Sequence, residues 1–321
     1  MRGSRYTFKS EDYRDISAVK WIPDDDTEVI GAVQIIHGMA EHMERYDDFA
    51  LFLNRKGFVV IGNDHRGHGK SLEAESDTGF FSEENGWEKA LHDIRKVTLQ
   101  LKEQHRELPI FIISHSMGSF FARDYISRWG DDINGVILSG TGNQKTFMVT
   151  VLQFLVKIEI LFRGLRHRST FFDNLSFGSF NKPFEPGAPT PFEWLSRDRV
   201  QVDKYVDDPL CGFICTTAHF RDLAQGLKRV CDPSLYSQVP KNLPILLFSG
   251  DEDPVGGAKG QLVREVYENY RRVGISDVTM ELNLGGRHES LNEINRDIVY
   301  DVFLQWLKVH VGKKDEILIQ E

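Results

Sequence analysis

Short apolar runs rich in β-branched residues alternate along most of the chain with longer stretches whose apolar positions recur at helical spacing. GAVQIIHG (31–38), FVVIGND (58–64), PIFIIS (109–114), NGVILSG (134–140), LPILLFSG (243–250) and VTMELNL (278–284) read as strands. Between them, residues 46–57, 85–105, 118–130, 259–274 and 290–311 carry the spacing of amphipathic helices. Gly57 ends the first of these, and Asn85 is expected as the N-cap of the second. RYTFKS and ISAVKWIP, ahead of the alternation, read as an antiparallel start to the same sheet. Strand–helix alternation implies βαβ crossovers, so the expected fold is α/β: a mostly parallel central sheet with helices on both faces.

The rhythm breaks between residues 143 and 240. This interval holds the apolar run FMVTVLQFLVKIEILF (147–162), then the Pro/Gly-rich passage FNKPFEPGAPTPFEWL. It has too many large apolar side chains for a solvated linker, so it reads as an inserted, mainly helical cap on a core made of 1–142 and 241–321. The apolar run falls short of the ~20 residues that span a bilayer and contains Lys157 and Glu159, which argues against a transmembrane helix.

Composition narrows the function classes. A net charge of −9 argues against wholesale nucleic-acid binding, which needs Lys and Arg to neutralise phosphates. Three cysteines, Cys211, Cys215 and Cys231, fit reduced thiols and a cytoplasmic location. Cys211 and Cys215 lack a matching second pair, and His37 and His42 lack further ligands, so no metal site is expected on either. The first residues have no apolar stretch of the signal-peptide kind, and the tail 313–321 is expected to be frayed.

The candidate chemistry centres on SHSMG (114–118), which joins a strand to a helix. A serine on so tight a turn is held exposed at the carboxyl end of a sheet, with the next backbone amides at a helix N-terminus. Gly118 is required because a side chain there would crowd the returning chain. Ser114 stands where the usual G-x-S-x-G pattern has its first glycine. A serine nucleophile needs a base, and the base an acid to fix its tautomer, in the order Ser, Asp/Glu, His on this kind of sheet. The loop after strand 243–250 offers Asp251, Glu252 and Asp253, with Asp253 favoured because Pro254 turns the loop there; the loop after 278–284 offers His288. His115 is expected to point away from Ser116, and His65 and His68 to organise their Gly-rich loop. For the oxyanion, the amide of Met117 is one donor and that of Met39, after strand 31–38, the other.

Together, HGMAEHMERYDDFA, NDHRGHGKS, SHSMGSF, GDEDPV and GGRHESLNE, in that order, resemble the α/β-hydrolase superfamily, and within it the monoacylglycerol lipase and lysophospholipase branch sometimes grouped with serine aminopeptidases. The resemblance implies Ser116 as nucleophile, Asp253 as triad acid, His288 as base, the Met39 and Met117 amides as oxyanion hole, and a lid over an acyl pocket. It implies a small-molecule ester substrate bearing an acyl chain, with no metal or organic cofactor. Phe147, Phe154, Leu155 and Ile158 are the cap residues expected to line that pocket, as part of an apolar surface that lines an acyl tunnel or touches a membrane, the alternative being that they only pack the cap onto the core. Arg163, Arg166, His167 and Arg168 form a basic cluster that either meets anionic headgroups in transient membrane contact or is a solvated helix end. Two other readings use the same fold: a small-ester or feruloyl-type esterase or serine aminopeptidase, and a non-catalytic binding protein. An aminopeptidase needs acidic cap groups to hold a substrate amine, for which Glu185, Glu193 and Asp198 are available.

Overall fold

In the computed structural model, which describes residues 3–184 and 187–312, the apolar runs form one sheet. Its strands are β1 (Ser4–Lys9), β2 (Asp15–Trp21), β3 (Gly31–Ile36), β4 (Phe58–Asn63), β5 (Ile110–His115), β6 (Gly135–Ser139), β7 (Ile245–Gly250) and β8 (Val278–Asn283). They lie in the order β1-β2-β4-β3-β5-β6-β7-β8. β1 runs antiparallel to β2 and β2 antiparallel to β4, and every later pairing is parallel. This is the α/β-hydrolase arrangement. Glu185 and the tail 313–321 lie outside the described residues.

Strand pleating sorts the central strands between two cores. Ala32 and Ile36, Val59 and Ile61, and Ile110 and Ile112 face one side with α2 (Gly86–Gln104), α3 (Met117–Trp129) and α10 (Gln261–Arg272). Val33 and Ile35, Phe58 and Val60, and Phe111 and Ile113 face the other with α1 (Asp47–Asn54) and α11 (Arg296–Val311). Both faces are covered, which is why these strands read as continuous apolar runs and not as alternating ones. The head of α2 differs from expectation: Asn85 occupies the N-cap position at φ 53° and its side chain caps nothing. The carboxylate of Asp222 packs there instead, so close that a Cβ on Gly86 would lie 2.0 Å from it.

Between β6 and β7 the chain leaves the sheet and forms α4 (Thr146–Arg163), α5 (Thr170–Asp173), α6 (Ser179–Asn181), α7 (Arg199–Asp207), α8 (Thr217–Val230) and α9 (Pro233–Tyr236). α8 packs against α4 on one side and against α2 and α3 on the other, so it is the seam between insertion and sheet. One buried side chain holds both ends of this insertion. The guanidinium of Arg123 on α3 donates to the Gly142 carbonyl where the insertion starts, and to the Val230 carbonyl and Tyr236 hydroxyl where it returns, each at 2.7 Å. Among the described residues, no helix is long and apolar enough to cross a membrane.

Candidate active site

β5 ends at His115 and α3 begins at Met117, leaving Ser116 on the corner at φ 53° and ψ −121°. A residue with a Cβ occupies that region only where its surroundings impose it. Here the Ser116 amide donates to the Ser139 carbonyl at 3.0 Å, and the Ser116 carbonyl accepts from the amide (2.8 Å) and hydroxyl (2.6 Å) of Ser119. Gly118 passes so near β3 that a Cβ would stand 2.2 Å from the Ile36 carbonyl oxygen, which is why this position takes glycine. Ser114, the departure from the usual turn, turns its hydroxyl into the sheet and donates to the Ile137 carbonyl at 2.9 Å.

Two later strands carry the partners. His288 Nδ1 lies 2.9 and 3.0 Å from the two carboxylate oxygens of Asp253. Asp253 also accepts from the Val255 amide at 2.9 Å and the Ser249 hydroxyl at 3.1 Å. Burial works to raise the Asp253 pKa, but His288 and these donors outweigh it and hold the carboxyl below its ordinary range. Asp251 has different work: it accepts from Lys259 Nζ at 3.0 Å and the Gly285 amide at 2.6 Å, shaping the loop that follows β8. His288 Nε2 is buried and has no hydrogen-bond partner among the described residues. Ser116 and His288 line one narrow cavity together with Gly38, Met39, Trp194 and Tyr205.

The loop after β3 is fixed by ionic contacts. Glu41 Oε1 accepts from the Gly38 amide and, at 2.9 Å, from the Tyr46 hydroxyl, while its Oε2 meets Arg45 at 2.7 Å. The same guanidinium grips Glu289 through two bonds of 2.6 and 2.7 Å. Arg45 therefore ties the loop carrying Met39 to the loop carrying His288. Burial pushes the Glu289 carboxyl up, yet Arg45 overrides it and the pKa falls to about 2. A 4-residue spacing of Glu41 and Arg45 on one turn was the sequence signal available for this pair; nothing local points to Glu289. His37 Nε2 accepts from the His65 amide at 2.9 Å, and His65 Nε2 donates to the His37 carbonyl at 3.0 Å, so these rings organise loops. His42 instead meets Asp208 at 2.8 Å.

Several expected positions fall elsewhere. The ring centroid of His115 lies 4.6 Å from that of His288, and His115 borders the same cavity. Phe147, Phe154 and Ile158 stand on the outer face of α4, with Phe147 73% and Phe154 63% exposed, and none of them borders the cavity. Leu155 packs inward against the cluster of Val156, Phe172, Cys215 and Phe220. The insertion lines the cavity with Phe177, Trp194, Leu195 and Tyr205. Because α4 is apolar nearly all round, its sequence does not say which face will be buried; contact with α8 selects the face of Val149 and Val156. The basic cluster is also largely engaged. Arg166 meets Asp77 at 2.8 Å, and Arg168 donates to the Thr78 and Ile214 carbonyls at 2.9 Å. Glu193 meets Arg199 at 2.7 Å, and Asp198 caps α7 and meets Arg296 at 2.7 Å.

Comparison with known proteins adds sequence and fold relatives. The family described as serine aminopeptidase S33 (Hydrolase_4) matches residues 27–295. A monoacylglycerol lipase of Mycolicibacterium smegmatis is 27% identical over 91% of this chain and 92% of its own. The human monoglyceride lipase is 25% identical over 84% of this chain and 79% of its own. Among solved structures, a thermostable carboxyl esterase from Bacillus coagulans in complex with glycerol superposes with a TM-score of 0.87 at 27% identity, covering 97% of this chain and 99% of that one.

Proposed function

The chain belongs to the serine aminopeptidase S33 family, and on that footing we propose that Ser116, His288 and Asp253 hydrolyse acyl-glycerol esters through an acyl-enzyme. It is an ester hydrolase of the lipase type. The observation that carries the assignment of residues is the state of His288: Nδ1 is held on Asp253 while Nε2, buried and unpartnered, belongs to the cavity that Ser116 lines. In that tautomer Nε2 is the basic nitrogen.

As Ser116 Oγ attacks the ester carbonyl, Nε2 takes its proton, and Asp253 stabilises the imidazolium. The carbonyl oxygen becomes an oxyanion and accepts from the amides of Met39 and Met117, the latter a first-turn amide of α3 without an intrahelical acceptor. The ester C–O bond breaks, His288 protonates the departing alcohol, and an acyl group remains on Ser116. Water then attacks that acyl carbon, giving its proton to Nε2; the acid leaves and the proton returns to Ser116 Oγ. These steps draw on side chains, backbone amides and water alone.

The segment 143–240 acts as a cap over this cavity. As folded here, the cavity has room for about one water molecule, so an acyl chain enters only when the cap shifts. The apolar lining from Phe177, Trp194 and Leu195 suits an acyl chain. An aminoacyl substrate suits it poorly, because Glu193 and Asp198 already pair with arginines. The outer face of α4 serves transient contact with a lipid surface that presents the substrate.

Fluorophosphonate labelling followed by a panel of monoacylglycerols, lysophospholipids, p-nitrophenyl esters of rising chain length and aminoacyl amides tests the reading. We expect labelling at Ser116, preference for acyl-glycerols over aminoacyl amides, and turnover reduced about 10⁴-fold or more in Ser116→Ala. Turnover retained by Ser116→Ala would remove the assignment of the nucleophile.

A further inference from the structure

We propose that His68, Cys215 and His219 form a binding site for one soft d10 metal cation, Zn²⁺ or Cu⁺, at the seam between the insertion and the sheet. The three residues are buried and offer ligand atoms that all lie within 4.8 Å of one another. His68 comes from the loop after β4; Cys215 and His219 flank the start of α8.

The imidazoles are presented as ligands. His68 Nδ1 donates to the Arg66 carbonyl at 2.8 Å, which leaves the lone pair on Nε2, and that atom has no partner among the described residues. His219 is 0% exposed and neither of its ring nitrogens finds a partner there. A buried polar atom left unpaired costs free energy, so native structures rarely keep one without a use. Aromatic rings wall the site: Phe81 lies 4.4 Å and His68 5.7 Å from the His219 ring, centroid to centroid.

The backbone beneath the thiol is pinned. The Cys215 carbonyl accepts from the Ser169 amide at 3.1 Å, and the Thr216 hydroxyl donates to the Gly79 carbonyl at 2.6 Å. Gly79, at φ +65°, comes so close that a Cβ would sit 2.8 Å from the Cys215 Cα. Thr216 also accepts from the His219 amide, fixing the turn that places both ligands.

A thiolate with two imidazoles is a donor set for soft and borderline cations. Bonds of 2.0 to 2.3 Å require donor atoms about 3.5–4 Å apart, which side-chain shifts of about 1 Å or less achieve here. On binding, the Cys215 S–H bond breaks, its proton passes to solvent and the sulfur–metal bond forms. The bound ion would brace α8 against the loop whose His65 supports His37. A second group, His42, Asp208 and Cys211, is the weaker candidate because His42 and Asp208 already bond each other at 2.8 Å.

The test titrates metal-stripped full-length protein with Zn²⁺ against a chromophoric chelator and, anaerobically, with Cu⁺ against bicinchoninate. We expect one equivalent of at least one ion bound with sub-micromolar affinity and a raised Tm. Binding should persist in Cys211→Ala and weaken 100-fold or more in Cys215→Ala and in His219→Gln, with circular dichroism confirming the fold of each. X-ray absorption of the loaded wild-type protein should show one sulfur and two imidazole scatterers, a readout independent of any variant. Absence of stoichiometric binding, binding that survives both substitutions or vanishes in Cys211→Ala, or a spectrum without sulfur would overturn the site.

Discussion

Single residues at this site are held under stress by their neighbours. Ser116 stays at a positive φ because Ser139, Ser119 and the glycine at 118 leave the chain no other path. Glu289 is the electrostatic counterpart: a buried carboxylate that Arg45 answers with two bonds and Asn292 with a third. Its pKa falls from 4.5 to about 2 on folding. Between those values the unfolded chain binds more protons than the native one, so this contribution is present above pH 4.5 and drains as pH falls toward 2. By pH 3 the loss amounts to roughly 2 kcal/mol. Urea unfolding from pH 6 to pH 3 should show a shallower acid limb for Glu289→Gln than for wild type; limbs of equal slope would mean the pair is not what secures these loops. Ser116, Asp253 and His288 could be put forward as candidates from the sequence because each follows a strand and sits in a short loop with turn residues; the structure brings His288 onto Asp253 and into one cavity with Ser116. Arg45 and Glu289 were not, since their meeting depends on two loops 244 residues apart.

Among elements, α4 departs furthest from what its sequence suggested. Its apolar residues were expected to line a pocket, yet Phe147, Phe154, Leu161 and Phe162 are between 63% and 80% exposed. A contiguous apolar face of this kind marks a contact surface. The arginines after it are spent on Asp77 and on backbone carbonyls, so the attraction to lipid should be apolar in origin. Leu161→Asp combined with Phe154→Asp should lower affinity for zwitterionic vesicles at least tenfold while changing stability by only about 0.5 kcal/mol per site, as exposed positions do. Turnover of a water-soluble short-chain ester should stay at the wild-type rate. Vesicle affinity unaltered by both aspartates, or strictly dependent on anionic lipid, would count against this face.

At the scale of the whole molecule, sheet and insertion meet through α8 and are joined at both hinges by Arg123. Lysine there reaches one acceptor and strands the others, so Arg123→Lys should cost about 2–4 kcal/mol in urea unfolding. Limited proteolysis should then cut near residues 142 and 230 well before the sheet; a cleavage pattern identical to wild type would mean the hinges do not depend on this guanidinium. Chain order and apolar periodicity alone determined the alternating sheet, because strands buried on both faces must be apolar throughout and helices between them must be amphipathic. The family was implied by the resemblance of five motifs and is shown by the family match over residues 27–295, while the turn that carries Ser116 could be read locally, since a strand-to-helix corner and its glycine are local demands. Only the tertiary structure decided which face of α4 is buried, that Arg45 meets Glu289, and that His68 stands beside Cys215 and His219. Those outcomes depend on contacts between distant segments, and packing, not periodicity, chooses among faces and partners that the sequence leaves equivalent.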